Sequence, residues 1–259
     1  MYLKAPIGTA STAVTLVSQA DDVSAAAADL ADDDGRVIAQ EPVDGPLVMI
    51  QAVFDHGSLV AWHSNLRLRP GPNGGSSLKR SALVPEVRSH LDELGTALGW
   101  HGALSLDAIL LADGPRYIDV NPRMVEPGNA WHSGVDLVDM LIAVSHSAPP
   151  LDVATGRDGV TTHQFLLAVL SAAERGRAAV LHEVVRALAR RPPYRIGTEE
   201  LTPAAGDPFA PLPTVAAAIA TLVHPAARQW FTRGAVMSYA LTPEAWRAIC
   251  SPVRRAQPR

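Results

Sequence analysis

The stretch from Leu104 to Arg123 constrains this chain more than any other. It reads Leu-Ser-Leu-Asp-Ala-Ile-Leu-Leu-Ala-Asp-Gly-Pro-Arg-Tyr-Ile-Asp-Val-Asn-Pro-Arg. Two strand-like runs flank Ala112-Asp113-Gly114, the pattern of a β-hairpin. With 112–114 as a three-residue loop and Gly114 in the left-handed conformation, residues whose numbers sum to 226 face each other. Asp107 then lies opposite Asp119, and Ser105 opposite Asn121. Because side chains alternate along a strand, Asp107, Asp119 and Asn121 project from one face. The other face carries Leu104, Leu106, Ala108, Leu110, Ile118 and Val120 and is apolar.

Two directly opposed carboxylates repel unless a positive charge lies between them. A hard divalent cation meets that need. Mg2+ takes one or two carboxylates and completes its shell with water or phosphate oxygens, and Mn2+ accepts similar ligands. Arg123, just past the second strand, is placed to reach a phosphate. The bland alternative is a surface hairpin with solvated aspartates, but the sharp sidedness of the pattern argues for a site.

Around the hairpin, strands and helices alternate as far as about residue 146. Tyr2 to Lys4, Ala13 to Val17, Arg36 to Gln40 (buried in character), Leu47 to Phe54 and Ser58 to Asn65 read as strands. Asp22 to Leu30 reads as a helix with Asp21 as N-cap. Arg69 to Ser77 is rich in Gly and Pro and reads as a loop. In Pro85 to Leu98 the spacing of Val87, Leu91, Leu94 and Leu98 predicts a helix, closed by Gly99. Val135 to Val144 is also helical in pattern. After Ala148-Pro149-Pro150 the chain becomes rich in Ala, Arg and Pro, with helices expected over 178–190 and 214–223. The expected division is therefore 1–148 and a mainly helical appendage, 149–259, giving an α+β chain.

Composition removes several function classes. The 259-residue chain has a net charge of −4, so it carries no basic footprint for nucleic acid or an anionic membrane. No apolar run approaches the about 20 residues that span a bilayer, and the best, Phe165 to Ala173, is far too short. Cys250 is the one cysteine, which excludes an internal disulfide or a cysteine-based zinc site. The nine histidines show no HxH or HExxH spacing and read as surface or structural residues, His132 alone lying near the hairpin. A cytoplasmic location is the default expectation. Lys4 and Lys79 are the only lysines, which raises the question of what position 4 does.

The hairpin resembles the metal-binding hairpin of the ATP-grasp superfamily: a strand with Asp, a short turn, then Asp-Val-Asn-Pro-Arg over 119–123. Other pieces recur in that family's order. Tyr2-Leu3-Lys4-Ala5-Pro6 is similar to the strand whose lysine contacts the ATP phosphates. Gly8-Thr9-Ala10-Ser11-Thr12 is similar to the small-residue loop that closes over them, where backbone N–H groups approach phosphate closely. Val37 to Gly45 resembles the hinge strand that binds adenine, with Gln40, Glu41 and Val43 along its edge. Pro46 and Leu47 stand where the family commonly has an acidic ribose contact. Trp62 to Arg69 followed by Gly74-Gly75-Ser76-Ser77-Leu78-Lys79-Arg80 resembles the substrate segment of carbamoyl-phosphate-synthase-like members. Arg67 and Arg69 alternate onto one strand face, suited to a carboxylate or acyl phosphate, and Arg80 joins them as a substrate residue.

The resemblance implies an ATP-grasp fold, two α+β subdomains gripping ATP, over residues 1–145. It implies ATP and Mg2+ as cofactors, Asp107, Asp119 and Asn121 as metal ligands, and Lys4 with Arg123 on the transferring phosphate. It implies a ligase that activates a small carboxylate as an acyl phosphate for attack by an amine or other nucleophile. The alternatives are a non-catalytic nucleotide- or partner-binding remnant and a coincidental α+β module. The family carries an N-terminal domain ahead of the lysine found here at residue 4, so that domain is expected to be missing. A late start, a fragment, or supply of the domain by another chain would each account for it, and a homo-oligomer also fits. A chain of this kind, alone, is expected to turn over little.

Overall fold

The computed structural model describes residues 1–6, 13–32, 34–148, 152–203, 207–232 and 245. Gly8, Ser11, Thr12 and Cys250 lie outside these residues. The chain groups into two compact units, residues 1–43 with 232–259, and residues 44–231.

In the first unit, β1 (Tyr2–Lys4) lies between β2 (Val14–Leu16) and β3 (Ile38–Gln40) in an antiparallel sheet. Helix α1 (Val23–Leu30) follows β2. Its N-cap is Asp22, not Asp21, because a single 3-10 turn over Ala20–Asp22 precedes it. The hinge strand is shorter and less buried than its apolar run suggests: Ile38 is 49% exposed. Lys4 pairs with Ile38, and Tyr2 with Gln40, so the lysine strand and the hinge strand are direct neighbours.

The second unit is built on an eight-stranded sheet. Its strands are β4 (Leu47–Asp55), β5 (Ser58–Pro70), β6 (Ser76–Ser81), β7 (Gly102–Leu111), β8 (Gly114–Asn121), β9 (Ala154–Thr155), β10 (Thr161–His163) and β11 (Thr198–Glu199). The order is β11-β10-β6-β5-β4-β7-β8, with β9 alongside β5. Helix α2 (Pro85–Leu98) covers one face. Its Val87 and Leu91 are buried against Val48, Ile50, Ala52, Leu104, Leu106 and Ala108, the predicted apolar side of the hairpin. Each fully buried Val, Leu or Ile among them contributes about 1.5–3 kcal/mol. Gly95 lets α2 come this close, since a Cβ there would sit 2.5 Å from the Phe54 ring. Gly99 ends the helix with φ 56°, as expected.

Helices α3 (Gly128–His132) and α4 (Leu137–Ser145) cover one end of the other face, burying Val53 and Ala61 under Ala130, Val135, Leu137 and Val144. Helices α5 (Phe165–Ala173), α6 (Arg177–Leu188) and α7 (Leu212–Val223) pack through Val169, Ala172, Val180 and Ala218, and α8 (Arg228–Thr232) follows. The segment beyond 148 is mainly helical, yet β10 and β11 add to the sheet edge. The sheet runs across the expected division at 148, and the compact units divide in sequence between 43 and 44 and between 231 and 232. Strands β6, β9, β10 and β11 were not expected from the sequence. Strand β6 lies partly inside the Gly-rich loop, and β10 is only three residues long, so neither shows a period of two.

Candidate functional site

The hairpin delivers the predicted pairing by a different route. Its turn is two residues, Ala112 and Asp113, with Leu111 opposite Gly114. That register would place Asp107 against Ile118. A β-bulge between Asp107 and Ala108 on this pairing absorbs one residue and restores Asp107 opposite Asp119 and Ser105 opposite Asn121. Gly114 has φ 117°. Asn121 Nδ2 donates to Asp119 Oδ2 at 3.0 Å, leaving the amide oxygen of Asn121 available to a ligand.

Register extends this polar face across the sheet. One row runs Ser81, Asn65, Met49, Asp107, Asp119, and the next runs His63, Gln51, Ser105, Asn121. Arg67 and Lys79 are paired one step further along β5 and β6. Burial raises the Asp107 carboxyl to about 6, the negative charges of Asp119 and Glu126 add to it, and Arg67 opposes. A carboxyl in that state gains strongly from a cation beside it.

The chain leaving β8 folds back over this face. Ser105 Oγ donates to the Arg123 carbonyl at 2.9 Å, and Gln51 Nε2 donates to the carbonyls of Val125 and Glu126. Glu126, at φ 49°, thereby meets Lys79, with Nζ 2.6 Å from its carboxylate. Lys79 is 1% exposed and also pairs with Glu200 at 2.9 Å. Gln164 and Thr162 donate to Glu200, and Asn129 donates to Thr162 Oγ1. Asn129 Oδ1 accepts from His63 Nε2 at 2.8 Å. That fixes His63 as the Nε2–H tautomer and leaves its buried Nδ1 without a partner. Burial holds His63 down at about 4.

Several expected residues stand elsewhere. Arg69 does not share an open face with Arg67. A bulge at Leu68 breaks the alternation, and Arg69 donates to Ser77 at 3.0 Å and to Glu183 at 2.9 Å. Glu183 also accepts from Tyr194. Burial pushes the Glu183 carboxyl up, but the bonds from Arg69 and Tyr194 outweigh it and hold the group low. Arg80 is paired with Leu66, on the side of the sheet that packs with α2, and so lies on the face opposite Arg67. Arg67 donates to the Gly74 carbonyl at 3.1 Å, and Arg123 is exposed at the end of the hairpin. Lys4 lies in β1, Gln40 ends β3, and Glu41 and Val43 continue beyond it. Lys79, Glu126 and Glu200 were missed. The scarcity of lysine was the available signal for the first, while Glu200 comes from a segment with no local motif.

The sequence matches no protein-family model and no curated protein. Parts of some solved structures align with part of this chain. The biotin carboxylase domain dimer of Hydrogenobacter thermophilus 2-oxoglutarate carboxylase, in complex with MgADP, ADP and bicarbonate, is 15% identical, with a TM-score of 0.49 over 62% of this chain and 39% of that one. Campylobacter jejuni biotin carboxylase gives 19% identity and a TM-score of 0.46 over 58% and 37%. The N5-carboxyaminoimidazole ribonucleotide synthetase of Thermus thermophilus gives 16% and 0.46 over 62% and 45%. This chain spans less than half the length of each of these structures.

Proposed function

We propose that this chain is the nucleotide- and magnesium-binding region of an ATP-dependent carboxylate ligase. The observation that carries the reading is the opposition of Asp107 and Asp119, with Asn121 beside them, on a polar face that also bears Arg67. The donors are all hard oxygens, and a raised Asp107 carboxyl is relieved by a cation, so the residues fit Mg2+ or Mn2+. Bound there, the ion would neutralise charge on the ATP phosphates.

The roles of the other residues follow the motifs. Lys4 and the segment 8–12 address the phosphates, and Gln40, Glu41 and Val43 address adenine through main-chain groups. Arg123 meets the transferring phosphoryl group, where a fixed positive charge stabilises the transition state. Arg67 is the remaining basic residue of the expected substrate set on the polar face, and it orients the carboxylate that becomes the acyl phosphate. An amine or other nucleophile then attacks that acyl phosphate. A second reading, a nucleotide-binding protein without turnover, is favoured by the ion pair that commits Arg69 to Glu183. Release of ADP, measured across a panel of small carboxylic acids and amines, separates the two. Acid-dependent release supports the ligase, and stoichiometric Mg-ATP binding without release supports the second reading.

A further inference from the structure

A second group of potential metal ligands lies far from the polar face. β4 and β5 are joined by the two-residue turn His56-Gly57, and Asp55 ends β4. His101 lies in the connection from α2 to β7. Asp55 Oδ1 is 3.2 Å from His101 Nδ1 and 3.9 Å from His56 Nε2, and one ligand atom from each residue lies within 4.8 Å of the others. A tetrahedral Zn2+ with bonds of about 2.0–2.2 Å sets its ligand atoms roughly 3.3–3.6 Å apart. The Asp55–His101 spacing is close to that range and the spacing to His56 exceeds it, so binding would draw the His56 ring inward.

The backbone is already held. His56 and Gly57 have φ of 46° and 94°, and Gly57 N donates to the Trp100 carbonyl at 2.7 Å. A Cβ on Gly57 would lie 3.2 Å from the Gly95 carbonyl, so only a glycine turn seats this tightly against the end of α2. Two segments 45 positions apart are thus brought together. The imidazoles are stacked, with centroids 4.2 Å apart and planes 18° apart. Stacked rings do not aim both lone pairs at one point, but the His56 side chain is 80% exposed and turns without displacing packing.

We propose that Asp55, His56 and His101 bind one divalent transition-metal ion of the zinc class, with water completing its shell. Two imidazoles and one carboxylate select zinc, nickel or copper over magnesium. The site is separate from the hairpin carboxylates. Asp107 pairs with Met49, six residues back along β4 from Asp55, roughly 20 Å at strand rise.

The test is titration of Zn2+ alone into the metal-stripped full chain, read by competition with a chromogenic chelator. The set is the unaltered chain, His56→Asn, His101→Ala and Asp119→Asn. Asn tolerates the positive φ at position 56, so the first variant keeps the turn. One zinc per chain is expected. Each histidine variant should weaken it by more than the roughly tenfold typical of losing an outer-shell partner, and Asp119→Asn should leave it unchanged. Bound Cu2+ should show coupling to two nitrogens, reduced to one in each histidine variant. Absence of zinc binding, or binding by both histidine variants equal to that of the unaltered chain, would overturn the assignment.

Discussion

Lys79 on β6 and Glu200 just after β11 are 121 positions apart in sequence and 2.9 Å apart in space, and neither side chain is more than 2% exposed. Their ion pair fastens the sheet edge formed by the C-terminal segment to the strand beside Arg67. Burying two charges is costly, so the pair holds only because Glu126, Gln164 and Thr162 complete its hydrogen bonds. Lys79→Met should therefore destabilise the fold by about 3–5 kcal/mol, since it strands Glu200 without a cation. Adding Glu200→Gln to that variant should restore part of the loss, as read from urea unfolding midpoints.

His63 should make stability depend on pH. Its folded pKa, about 4, lies below the ordinary 6.5, because burial disfavours the charged ring and outweighs the Asn129 bond, with the Lys79 charge adding to the depression. The unfolded chain binds the extra proton first, so the stability is full above 6.5 and is lost as pH falls through the window from 6.5 to 4. The shift is worth about 3 kcal/mol. Unfolding free energies at pH 7.5 and pH 5 should converge more in His63→Gln than in the unaltered chain. An equal loss in both would mean that the ring carries no such penalty.

The parts of the fold legible in the sequence were those with a local period. Helix α2 matched its expected limits, and Asp107 met Asp119 as expected. That second success owed something to compensation, because a shorter turn and an unseen bulge cancelled. Bulges cannot be read from alternation alone, and a second one, at Leu68, separated Arg69 from Arg67. Arg80 was misplaced because the strand that carries it was read only as following a loop. The Lys79 network and the Asp55, His56 and His101 group join segments far apart in sequence, and no spacing rule reaches across such gaps.

Lys4 should discriminate between ligands. Its ammonium addresses phosphate and not the base, so Lys4→Ala should lower ATP affinity while adenosine affinity stays the same. Equilibrium binding of both ligands to both proteins decides it. Equal loss for ATP and adenosine would show that residue 4 acts through the stability of the small sheet.

The central claim is that the polar face of the hairpin holds the metal that accompanies the nucleotide. ATP affinity, measured by calorimetry with Mg2+ and with excess chelator, tests it most directly in the unaltered chain and in Asp119→Asn. Mg2+ should raise affinity in the unaltered chain by about tenfold or more, the scale of a lost charge-assisted contact of 1.5–3 kcal/mol. In Asp119→Asn most of that increase should disappear, with metal-free binding unchanged. The same increase with Mg2+ in both proteins would contradict the assignment and place the ion elsewhere.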